Sequence, residues 1–484
     1  MRLANLLEHA GLPATYRVAG GDASGTEITD VVIDSRDVGP GALFCCIRGA
    51  RVDGHDLAAG AVAAGAVAVL ADHELELPPD AALVVVPDVR AALGPLAAAF
   101  HGHPSRQLTM IGITGTNGKT TVTHLLQSIY AAADRRAAVI GTLSSAPGQP
   151  PTTPDAPALQ ARLAELVGGG VEVVAMEVSS HGLALRRVDG TTFAAAVFTN
   201  LSQDHLDVHR SMEEYFAAKA RLFDPAFTGL AVVNLDDPRG RLLRDAAVVR
   251  TVGYSLDDAR DLELTLSGST FVWRGTRLSV ALAGRFNVAN AVAAATVASE
   301  LGVGIDAIAA GLAATGSVRG RFEVVDAGQP FGVVVDYAHT PDGLEQLLIA
   351  GRELVGPGAA VTVVFGAGGD RDPGKRPQMG AVVARLADRV VVTSDNPRGE
   401  APLAIIDAII GGMPDRSRVD VEPDRRAAIA LAVAGAAPGD LVLIAGKGHE
   451  TTQTIGEHVL PFDDREVAIE LLASGWAPVE DGPT

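Results

Sequence analysis

Cysteine and aromatic residues are scarce in this chain. The two cysteines, Cys45 and Cys46, are adjacent, a spacing that excludes a disulfide framework and a multi-cysteine metal site. We therefore expect a reducing compartment, with both thiols as small core residues of a strand. Aromatic residues make up only 4% of the chain, a composition that favours helices packed closely on sheets over an all-β sandwich.

Positive charge and long apolar runs are also in short supply. Lysine and arginine number 39 against 58 aspartates and glutamates, so the formal charge is −19. This balance disfavours broad binding to nucleic acids or anionic membranes, and we expect neither as a partner. No run approaches the roughly 18 apolar residues of a membrane helix, and the first residues do not form a signal peptide. The sequence predicts a cytoplasmic protein.

The length and the apolar pattern predict three α/β domains. A chain of 484 residues that is 48% apolar is too long for one core. Short apolar runs, each beside a helical stretch, are typical of buried parallel strands. Breaks near residues 101–104 and 315–321 place the predicted domains at 1–103, 104–318 and 319–484. The runs lie at residues 84–86, 110–113, 137–140, 171–176, 194–198, 332–336, 361–365, 390–393 and 441–445.

A glycine-rich segment after the second domain's first strand predicts a phosphate-binding loop. Its glycines allow backbone N–H groups to turn inward at a helix N-terminus, where Lys119 neutralises phosphate oxygens and the Thr120 hydroxyl holds Mg²⁺. Five residues rather than four separate Gly112 from Gly118, a departure from the usual spacing. The predicted nucleotide-binding residues are Gly115, Thr116, Asn117, Gly118, Lys119, Thr120 and Thr121.

Polar residues follow two further strands of the predicted central domain. Glu177 and His205 stand at carboxyl ends of strands, where open α/β sheets place their ligands, and we expect both beside Mg²⁺. Taken alone, each fits a helix cap or a surface residue. The pattern around Lys219 by itself predicts a surface lysine. Asn287 and Asn290 share a helical face and suit either a nucleotide base or a helix cap.

Four charged loops, two of them containing glycine, follow strands in the last third of the chain. They lie at residues 336–341, 366–372, 393–398 and 446–450. Arg371 and Arg398 suit carboxylates, whereas Asp395 and Glu450 suit an ammonium group. Together the loops predict a pocket for an amino acid with two charged ends.

These motifs resemble the Mur ligase family, the ATP-dependent amide-forming enzymes of peptidoglycan precursor synthesis. The resemblance covers nearly the whole chain, because Asp34-Ser35-Arg36, Thr152-Thr153-Pro154, Ala218-Lys219 and Gly320-Arg321-Phe322-Glu323 also occur in the family's order. It implies an N-terminal UDP-substrate α/β domain, a central P-loop ATPase-like parallel-sheet domain and a C-terminal Rossmann-like domain. Asp395-Asn396-Pro397-Arg398 is similar to the motif of members that add meso-2,6-diaminopimelate, rather than L-lysine, to the D-glutamate of UDP-N-acetylmuramoyl-L-Ala-D-Glu.

The resemblance also implies residue roles. Lys119, His205 and Lys219 are the implied catalytic residues, and Thr120, Glu177, His205 and a carbamylated Lys219 are the implied metal site. Asn287 and Asn290 are expected to face adenine, with Arg321 and Asp336 approaching ATP from the third domain. Leu185 departs from relatives that carry a polar residue near the muramoyl peptide. The implied muramoyl-dipeptide residues are Ser35, Thr152, Thr153, Ser179 and Arg187, and those for diaminopimelate are Arg371, Asp395, Asn396, Pro397, Arg398, Gly446 and Glu450.

The implied reaction proceeds through an acyl phosphate, with ATP and Mg²⁺ as cofactors, small molecules as partners and a monomeric enzyme. Two alternatives stay open. One is a related ligase for another amino acid, either an L-lysine-adding or a folylpolyglutamate-type enzyme. The other is a P-loop ATPase or nucleotide-dependent scaffold that makes no bond.

Overall fold

Runs of valine, isoleucine and alanine form the central strands of three sheets, because strands covered on both faces by helices must be apolar throughout. The computed structural model describes residues 1–12, 17–19, 24–49, 52–144, 151–204, 206 and 208–474. Within these residues three α/β units follow one another along the chain, so the predicted fold class is confirmed. The limits assigned to the three domains remain a prediction.

The N-terminal unit is a five-stranded sheet in the order β1-β5-β4-β3-β2, in which only the β1–β5 pair is antiparallel. Cys45 ends β3 and Cys46 follows it, and both are buried free thiols, as predicted. The strands are β1 (Arg17–Ala19), β2 (Asp30–Val32), β3 (Ala42–Cys45), β4 (Ala68–Ala71) and β5 (Ala82–Val85), and the helices are α1 (Leu3–His9), α2 (Ala58–Ala64) and α3 (Val89–Phe100).

The central unit contains a six-stranded parallel sheet in the order β11-β10-β9-β6-β8-β7. The strand that precedes the glycine-rich turn, β6, therefore lies inside the sheet between β9 and β8. The strands are β6 (Thr109–Thr114), β7 (Ala137–Ile140), β8 (Val173–Glu177), β9 (Ala195–Phe198), β10 (Leu230–Asn234) and β11 (Arg250–Tyr254), and the helices are α4 (Lys119–Ala132), α5 (Ala156–Gly168), α6 (Ser180–Ala184), α7 (Met212–Ala220) and α8 (Pro238–Ala246).

A small antiparallel sheet and two helices complete the central unit. The sheet has the order β12-β13-β14, and its inward side chains join the core beneath helix α4. Gly284 precedes the helix that carries both asparagines, so neither Asn287 nor Asn290 is its N-cap. The elements are β12 (Arg260–Thr265), β13 (Gly268–Trp273), β14 (Thr276–Val280), α9 (Arg285–Glu300) and α10 (Ile305–Ala314).

The C-terminal unit is a second six-stranded sheet, in the order β15-β16-β20-β17-β18-β19, antiparallel only at β15. The hairpin β21–β22 projects beside it. The strands are β15 (Glu323–Val324), β16 (Gly332–Asp336), β17 (Val361–Phe365), β18 (Arg389–Val392), β19 (Val419–Val421), β20 (Leu441–Ala445), β21 (Thr452–Ile455) and β22 (His458–Pro461). The helices are α11 (Pro341–Leu354), α12 (Lys375–Leu386), α13 (Pro402–Ile410), α14 (Arg425–Ala434) and α15 (Asp464–Ala473). In the described part of the chain, no helix is both long and apolar enough to cross a membrane.

Two glycines allow the N-terminal and central units to touch backbone to backbone. A Cβ at Gly94, inside α3, would collide with the carbonyl oxygen of Asp189. A Cβ at Gly190, whose φ is +83°, would lie 2.6 Å from the carbonyl oxygen of Gly94. Arg221 pairs with Asp189 at 3.1 Å on the same surface. The absence of side chains at these two glycines therefore sets how closely the units approach.

This contact predicts that Gly94→Ala destabilises the protein by about 1–3 kcal/mol, the usual cost of overpacking a close contact. Gly60→Ala is the matched control, because Gly60 also lies within a helix and a Cβ there meets nothing within 4 Å. The control should be neutral or stabilising by about 0.5–1 kcal/mol, since alanine is the better helix former. Urea denaturation measures both changes, and equal stabilities of the two variants would contradict the prediction.

Candidate functional site

The turn between β6 and α4 has a backbone that only glycine can form. Gly115 and Gly118 have φ values of +153° and +88°. A Cβ at Gly115 would collide with Thr199 Oγ1, and one at Gly118 with Asn290 Oδ1. Asn200 supports the turn by accepting hydrogen bonds from the Thr116 N–H through its carbonyl and from the Asn117 N–H through Oδ1, both at 2.9 Å. The predicted glycine-rich loop thus leads directly into the N-terminus of α4.

Two lysines, the partly buried Lys119 and the buried Lys219, donate to the same carbonyl of this turn. Lys119 Nζ lies 2.9 Å from Gly115 O and 2.9 Å from Thr116 O, while Lys219 Nζ lies 2.8 Å from Gly115 O. Burial lowers the pKa of Lys119, although Glu177 opposes the shift. Burial and the charge of Lys119 lower the pKa of Lys219 further. The site therefore favours a neutral amine at Lys219.

The position of Lys219 corrects the simplest expectation from its local sequence. Lys219 is only 1% exposed, and its Nζ atom lies 4.5 Å from the centre of the Tyr215 ring. A helix pattern of alanines around one lysine gives no sign of burial. The residue is buried because α7 packs against the turn between β6 and α4, with Tyr215 OH 3.1 Å from Thr116 Oγ1. We call this turn, residues 115–118, the phosphate turn after its predicted ligand.

An oxygen-rich group lies beside the first turn of α4. Glu177 Oε1 accepts hydrogen bonds from Thr120 Oγ1 at 3.1 Å and from the Thr142 N–H at 2.8 Å. Glu177 is 1% exposed and ends β8, as its place in the sequence predicts. A carboxylate and a hydroxyl are the hard oxygen ligands that Mg²⁺ prefers. His205 lies outside the described residues, and its predicted place in this group remains a prediction.

The C-terminal unit reaches the phosphate turn through two contacts. Arg321 Nη2 donates to Thr120 Oγ1 at 3.1 Å, and Asn117 Nδ2 donates to Asp342 Oδ2 at 3.0 Å. Arg321 Nε is buried and has no hydrogen-bond partner among the described residues. Asp336 fixes the segment by accepting from the Phe322 N–H at 2.6 Å and the Ala338 N–H at 2.8 Å. The structure thus brings the side chain of Arg321 to the turn. Asp336 does not contact the turn in these bonds but holds the backbone of the segment that carries Arg321.

A cavity of about 480 Å³ lies between the central and C-terminal units. This volume falls in the range of small-molecule sites. Asn287 and Asn290 line it, but their amides bond to Ala283 O at 2.9 Å and to Asn287 Oδ1 at 3.3 Å, respectively. The Asn290 side chain also packs on Gly118. Other residues that line the cavity are Asn117, Gly118, Thr121, Arg321, Asp336, Tyr337 and Asp342.

Four of the five residues expected at the muramoyl dipeptide form one network. Thr153 Oγ1 lies 3.0 Å from Ser179 Oγ and donates to Glu177 O at 3.1 Å, while Arg187 Nη1 donates to Thr153 O at 3.0 Å. Thr152 Oγ1 lies 3.1 Å from Thr142 Oγ1, which in turn donates to the side-chain carboxylate of Glu177 at Oε2. Ser35 begins the turn after β2 in the N-terminal unit and stands apart from this network in the described structure.

The loops at 395–398 and 446–450 are joined by hydrogen bonds. Asn396 Nδ2 donates to Glu450 Oε2 at 2.7 Å and to Asp395 Oδ1 at 3.2 Å. Gly446 has a φ of +114°, and a Cβ there would lie 2.6 Å from Asp395 Oδ2. Pro397, which is buried, leads into Arg398. The structure therefore brings both predicted carboxylates into one group.

The side chains of Arg398 and Arg371 both lie beside Gly368. A Cβ at Gly368 would lie 2.9 Å from Arg398 Nη1 and 3.8 Å from Arg371 Cγ. Arg398 has a φ of +52° and donates from Nη1 to Gly369 O at 2.8 Å. Guanidinium and carboxylate groups on neighbouring loops agree with a pocket for an amino acid that carries charges of both signs.

Sequence profiles of three Mur ligase domains match successive parts of the chain. The Mur ligase family catalytic domain matches residues 27–101, the Mur ligase middle domain residues 113–298, and the Mur ligase glutamate ligase domain residues 320–448. These segments cover more than half of the sequence. The chain belongs to the Mur ligase family.

Among the relatives of this Mur ligase are enzymes named UDP-N-acetylmuramoyl-L-alanyl-D-glutamate--2,6-diaminopimelate ligase. The one from Syntrophomonas wolfei is 44% identical over 465 residues, covering 92% of this chain and 95% of the relative. The one from Streptomyces coelicolor is 46% identical over 480 residues, covering 94% of each. A solved structure with that name matches with a TM-score of 0.67 and 35% identity over 94% of this chain and 97% of that one. A MurF from Acinetobacter baumannii shares the fold with a TM-score of 0.65 at 20% identity, covering 98% of each chain.

Sequence reasoning missed several residues that shape the site of this Mur ligase. Thr142 binds Glu177, Asp342 binds Asn117, and Tyr215 contacts the phosphate turn. These residues carry no local motif. Lys447 stands within a motif that the sequence singled out, but its bonds to Glu450 Oε2 at 3.3 Å and Thr452 O at 2.6 Å become visible only in three dimensions.

Proposed function

We propose that this Mur ligase uses ATP to join meso-2,6-diaminopimelate to the D-glutamate of UDP-N-acetylmuramoyl-L-Ala-D-Glu. The observation that carries the proposal is the paired loops at 395–398 and 446–450, where Asn396 connects the two carboxylates and Arg398 stands beside Arg371. Relatives at 44–46% identity that bear this enzyme's name support it. The reaction takes place in the cytoplasm, with small molecules as partners and a monomeric enzyme.

The loop chemistry favours diaminopimelate over L-lysine. Both amino acids have two amino groups, but only diaminopimelate has a second carboxylate at the distal end. Arg398 offers a fixed guanidinium that bonds to a carboxylate through two parallel N–H groups. The carboxylates of Asp395 and Glu450 suit the ammonium group at the same end. The pocket therefore binds both charges of the distal end, and lysine leaves the guanidinium without its partner.

The residues of the phosphate turn fit ATP and Mg²⁺. The N-terminus of α4 and the buried Nε of Arg321 suit the phosphate groups. Thr120, Glu177 and His205 would hold Mg²⁺, and Lys119 would neutralise the phosphoryl oxygens. Mg²⁺, when bound, offsets the charge that accumulates on phosphate oxygens. Asn287 and Asn290 face the adenine side of the cavity, and Arg321 and Asp336 complete it from the C-terminal unit.

The reaction has two steps: the carboxylate is first activated, and the amine then attacks it. A carboxylate is a poor electrophile, so the D-glutamyl γ-carboxylate first attacks the γ-phosphorus of ATP and forms an acyl phosphate with release of ADP. The neutral amine of diaminopimelate then attacks the acyl carbon, phosphate leaves, and the amine loses its proton as the amide forms. Lys119 stabilises the first step electrostatically. Thr152, Thr153, Ser179, Arg187 and Ser35 hold the UDP-linked dipeptide in place.

A carbamate on Lys219 would remove the charge repulsion between the two lysines that donate to Gly115 O. A neutral amine adds to CO₂, a proton is released, and the side chain becomes an anion. Burial and Lys119 already lower the pKa of Lys219 and favour that neutral amine. An unmodified ammonium group does not fit a cation site, whereas the carbamate offers oxygen ligands for a second Mg²⁺ beside Lys119.

The carbamate predicts a ¹³C NMR signal in protein equilibrated with ¹³C-bicarbonate. Lys219→Arg, which keeps a positive charge but cannot form the carbamate, should lack the signal and lose at least about a hundredfold in kcat, the usual effect of removing a key electrostatic group. Lys375→Arg is the control, since Lys375 is a buried lysine at the start of α12 in the C-terminal unit. Wild-type protein without the signal, or full activity in Lys219→Arg, would contradict the carbamate.

The reaction predicts that phosphate release from ATP depends on the acceptor. With UDP-N-acetylmuramoyl-L-Ala-D-Glu present, we expect release with meso-diaminopimelate and little with LL-diaminopimelate, L-lysine or no amino acid. Mass spectrometry should show the UDP-tripeptide. Preference for L-lysine would keep the ligase and overturn the assignment of Arg398. Release that is indifferent to every acceptor would favour the ATPase or scaffold.

Arg398→Lys should raise the KM for diaminopimelate at least about tenfold, because a lysine cannot make the two parallel bonds to a carboxylate. The ratio of diaminopimelate to L-lysine turnover should fall with it. Arg418→Lys is the control, since Arg418 is an exposed arginine of the same unit. Steady-state kinetics at saturating ATP measure the change, and an unaltered KM in Arg398→Lys would remove Arg398 from the pocket.

A further inference from the structure

We propose that the buried ion pair of Arg425 and Asp464 is a positioning pair, which holds the loops at 395–398 and 446–450 at the spacing that amino-acid binding requires. Neither residue has a role in the reaction proposed above, and neither is offered as a catalytic residue. The effect on substrate binding rests on the proposed function. The mechanical claim, that the pair fixes the two loops, rests on geometry alone.

The guanidinium of Arg425 bonds to the residue that immediately precedes each loop. Its Nη1 donates to Ser394 O at 3.2 Å and its Nη2 donates to Ala445 O at 2.9 Å. Ser394 and Ala445 are the residues immediately before Asp395 and Gly446. One rigid planar group therefore connects the two points at which the strands β18 and β20 give way to the charged loops.

These two points have no direct connection through the sheet. The strand order places β17 between β20 and β18, so the ends of β18 and β20 are separated by about 9–10 Å, two strand spacings. Hydrogen bonds of the sheet fix each strand to β17 but do not fix the loops beyond the strand ends. Arg425 spans this distance on the carboxyl side of the sheet, where the loops begin.

Asp464 fixes the direction of the guanidinium. Arg425 Nε and Nη2 donate to Asp464 Oδ1 and Oδ2, each at 2.7 Å, and both side chains are fully buried at 0% exposure. Arg425 begins α14 and Asp464 begins α15. Because two hydrogen bonds to Asp464 fix the plane of the guanidinium, the other N–H groups of Arg425 can point in only one direction. That direction is toward the carbonyl oxygens of Ser394 and Ala445.

The charge of Arg425 also acts on the pocket. Asp395 and Glu450 contribute to raising the pKa of Arg425, which places its positive charge near both carboxylates of the loops. Asp464 pairs with that charge directly, and Lys447 Nζ pairs with Glu450 Oε2 at 3.3 Å. The contribution of Arg425 to the two loops is therefore chiefly mechanical. Burying an ion pair seldom stabilises a protein more than apolar side chains of the same shape, so its use here agrees with a positioning role.

The test uses Arg425→Lys in the full-length enzyme, with Asp464→Asn as a second variant that keeps the side-chain volume and removes the charge. Arg352→Lys is the matched control. Arg352 also pairs with an aspartate, Asp388, and also donates to a backbone carbonyl, Ala359 O, at 2.9 Å. These contacts lie near the starts of β17 and β18, at the opposite end of the strands from the two loops.

Hydrogen exchange measured by mass spectrometry tests the mechanical claim without any substrate. The N–H groups of Arg398 and Glu450 donate to Thr454 O and Lys447 O, both at 3.0 Å, so intact loops protect them. Arg425→Lys and Asp464→Asn should raise exchange in peptides that cover residues 393–399 and 445–451, and Arg352→Lys should not. Unchanged exchange in both loops, or an equal rise throughout the chain, would overturn the proposal.

Steady-state kinetics test the consequence for binding. We expect Arg425→Lys to raise the KM for diaminopimelate about tenfold, the effect of losing one or two hydrogen bonds to a charged group. The KM for ATP and for the UDP-linked dipeptide should change less than the KM for diaminopimelate, because the hydrogen bonds of Arg425 end on Ser394, Ala445 and Asp464, all in the C-terminal unit. A pair that merely stabilises the fold would instead lower the melting temperature and the active fraction with the KM for diaminopimelate unchanged. Wild-type enzyme that makes no product from diaminopimelate would overturn the proposed function, while hydrogen exchange would still decide the positioning claim.

Discussion

The hydroxyl of Thr120 is the point on which the arrangement of the site depends. It bonds to Glu177 of the central unit and accepts from Arg321 of the C-terminal unit, each at 3.1 Å. One side chain in the first turn of α4 therefore connects the carboxylate expected to hold a metal with the guanidinium that comes from another sheet. Because Thr120 follows the glycine-rich turn directly, any change in that turn is transmitted to both partners.

The electrostatics of this region follow from burial. Lys119 and Lys219 both donate to the carbonyl oxygen of Gly115, and such a close pair is unfavourable while both are charged. The lowered pKa values of the two lysines express this cost. Anionic phosphate groups near Lys119 and a negative group at Lys219 would each relieve it.

The sequence predicted the fold class and the strand ends well because both depend on local pattern. Apolar runs gave the central strands within a few residues, and Glu177 was placed correctly at the end of β8. The burial of Lys219 was not predictable from its helix, since it results from packing against a turn about a hundred residues earlier in the chain. Asp342 and Arg425 were missed for the same reason: their partners, Asn117 and Asp464, are distant in sequence and form no motif with them.

The two contacts between the C-terminal unit and the phosphate turn couple nucleotide binding to the placement of the amino-acid pocket. Asn117 and Thr120 lie on either side of Gly118 and Lys119, and each bonds to a residue of the C-terminal unit. A nucleotide that alters these bonds must alter the free energy with which that unit docks on the central unit. By thermodynamic reciprocity, an amino acid that favours one docked arrangement then changes nucleotide affinity by the same factor. A ligase that forms a reactive acyl phosphate benefits from this coupling, because closure around both substrates excludes the water that would hydrolyse it.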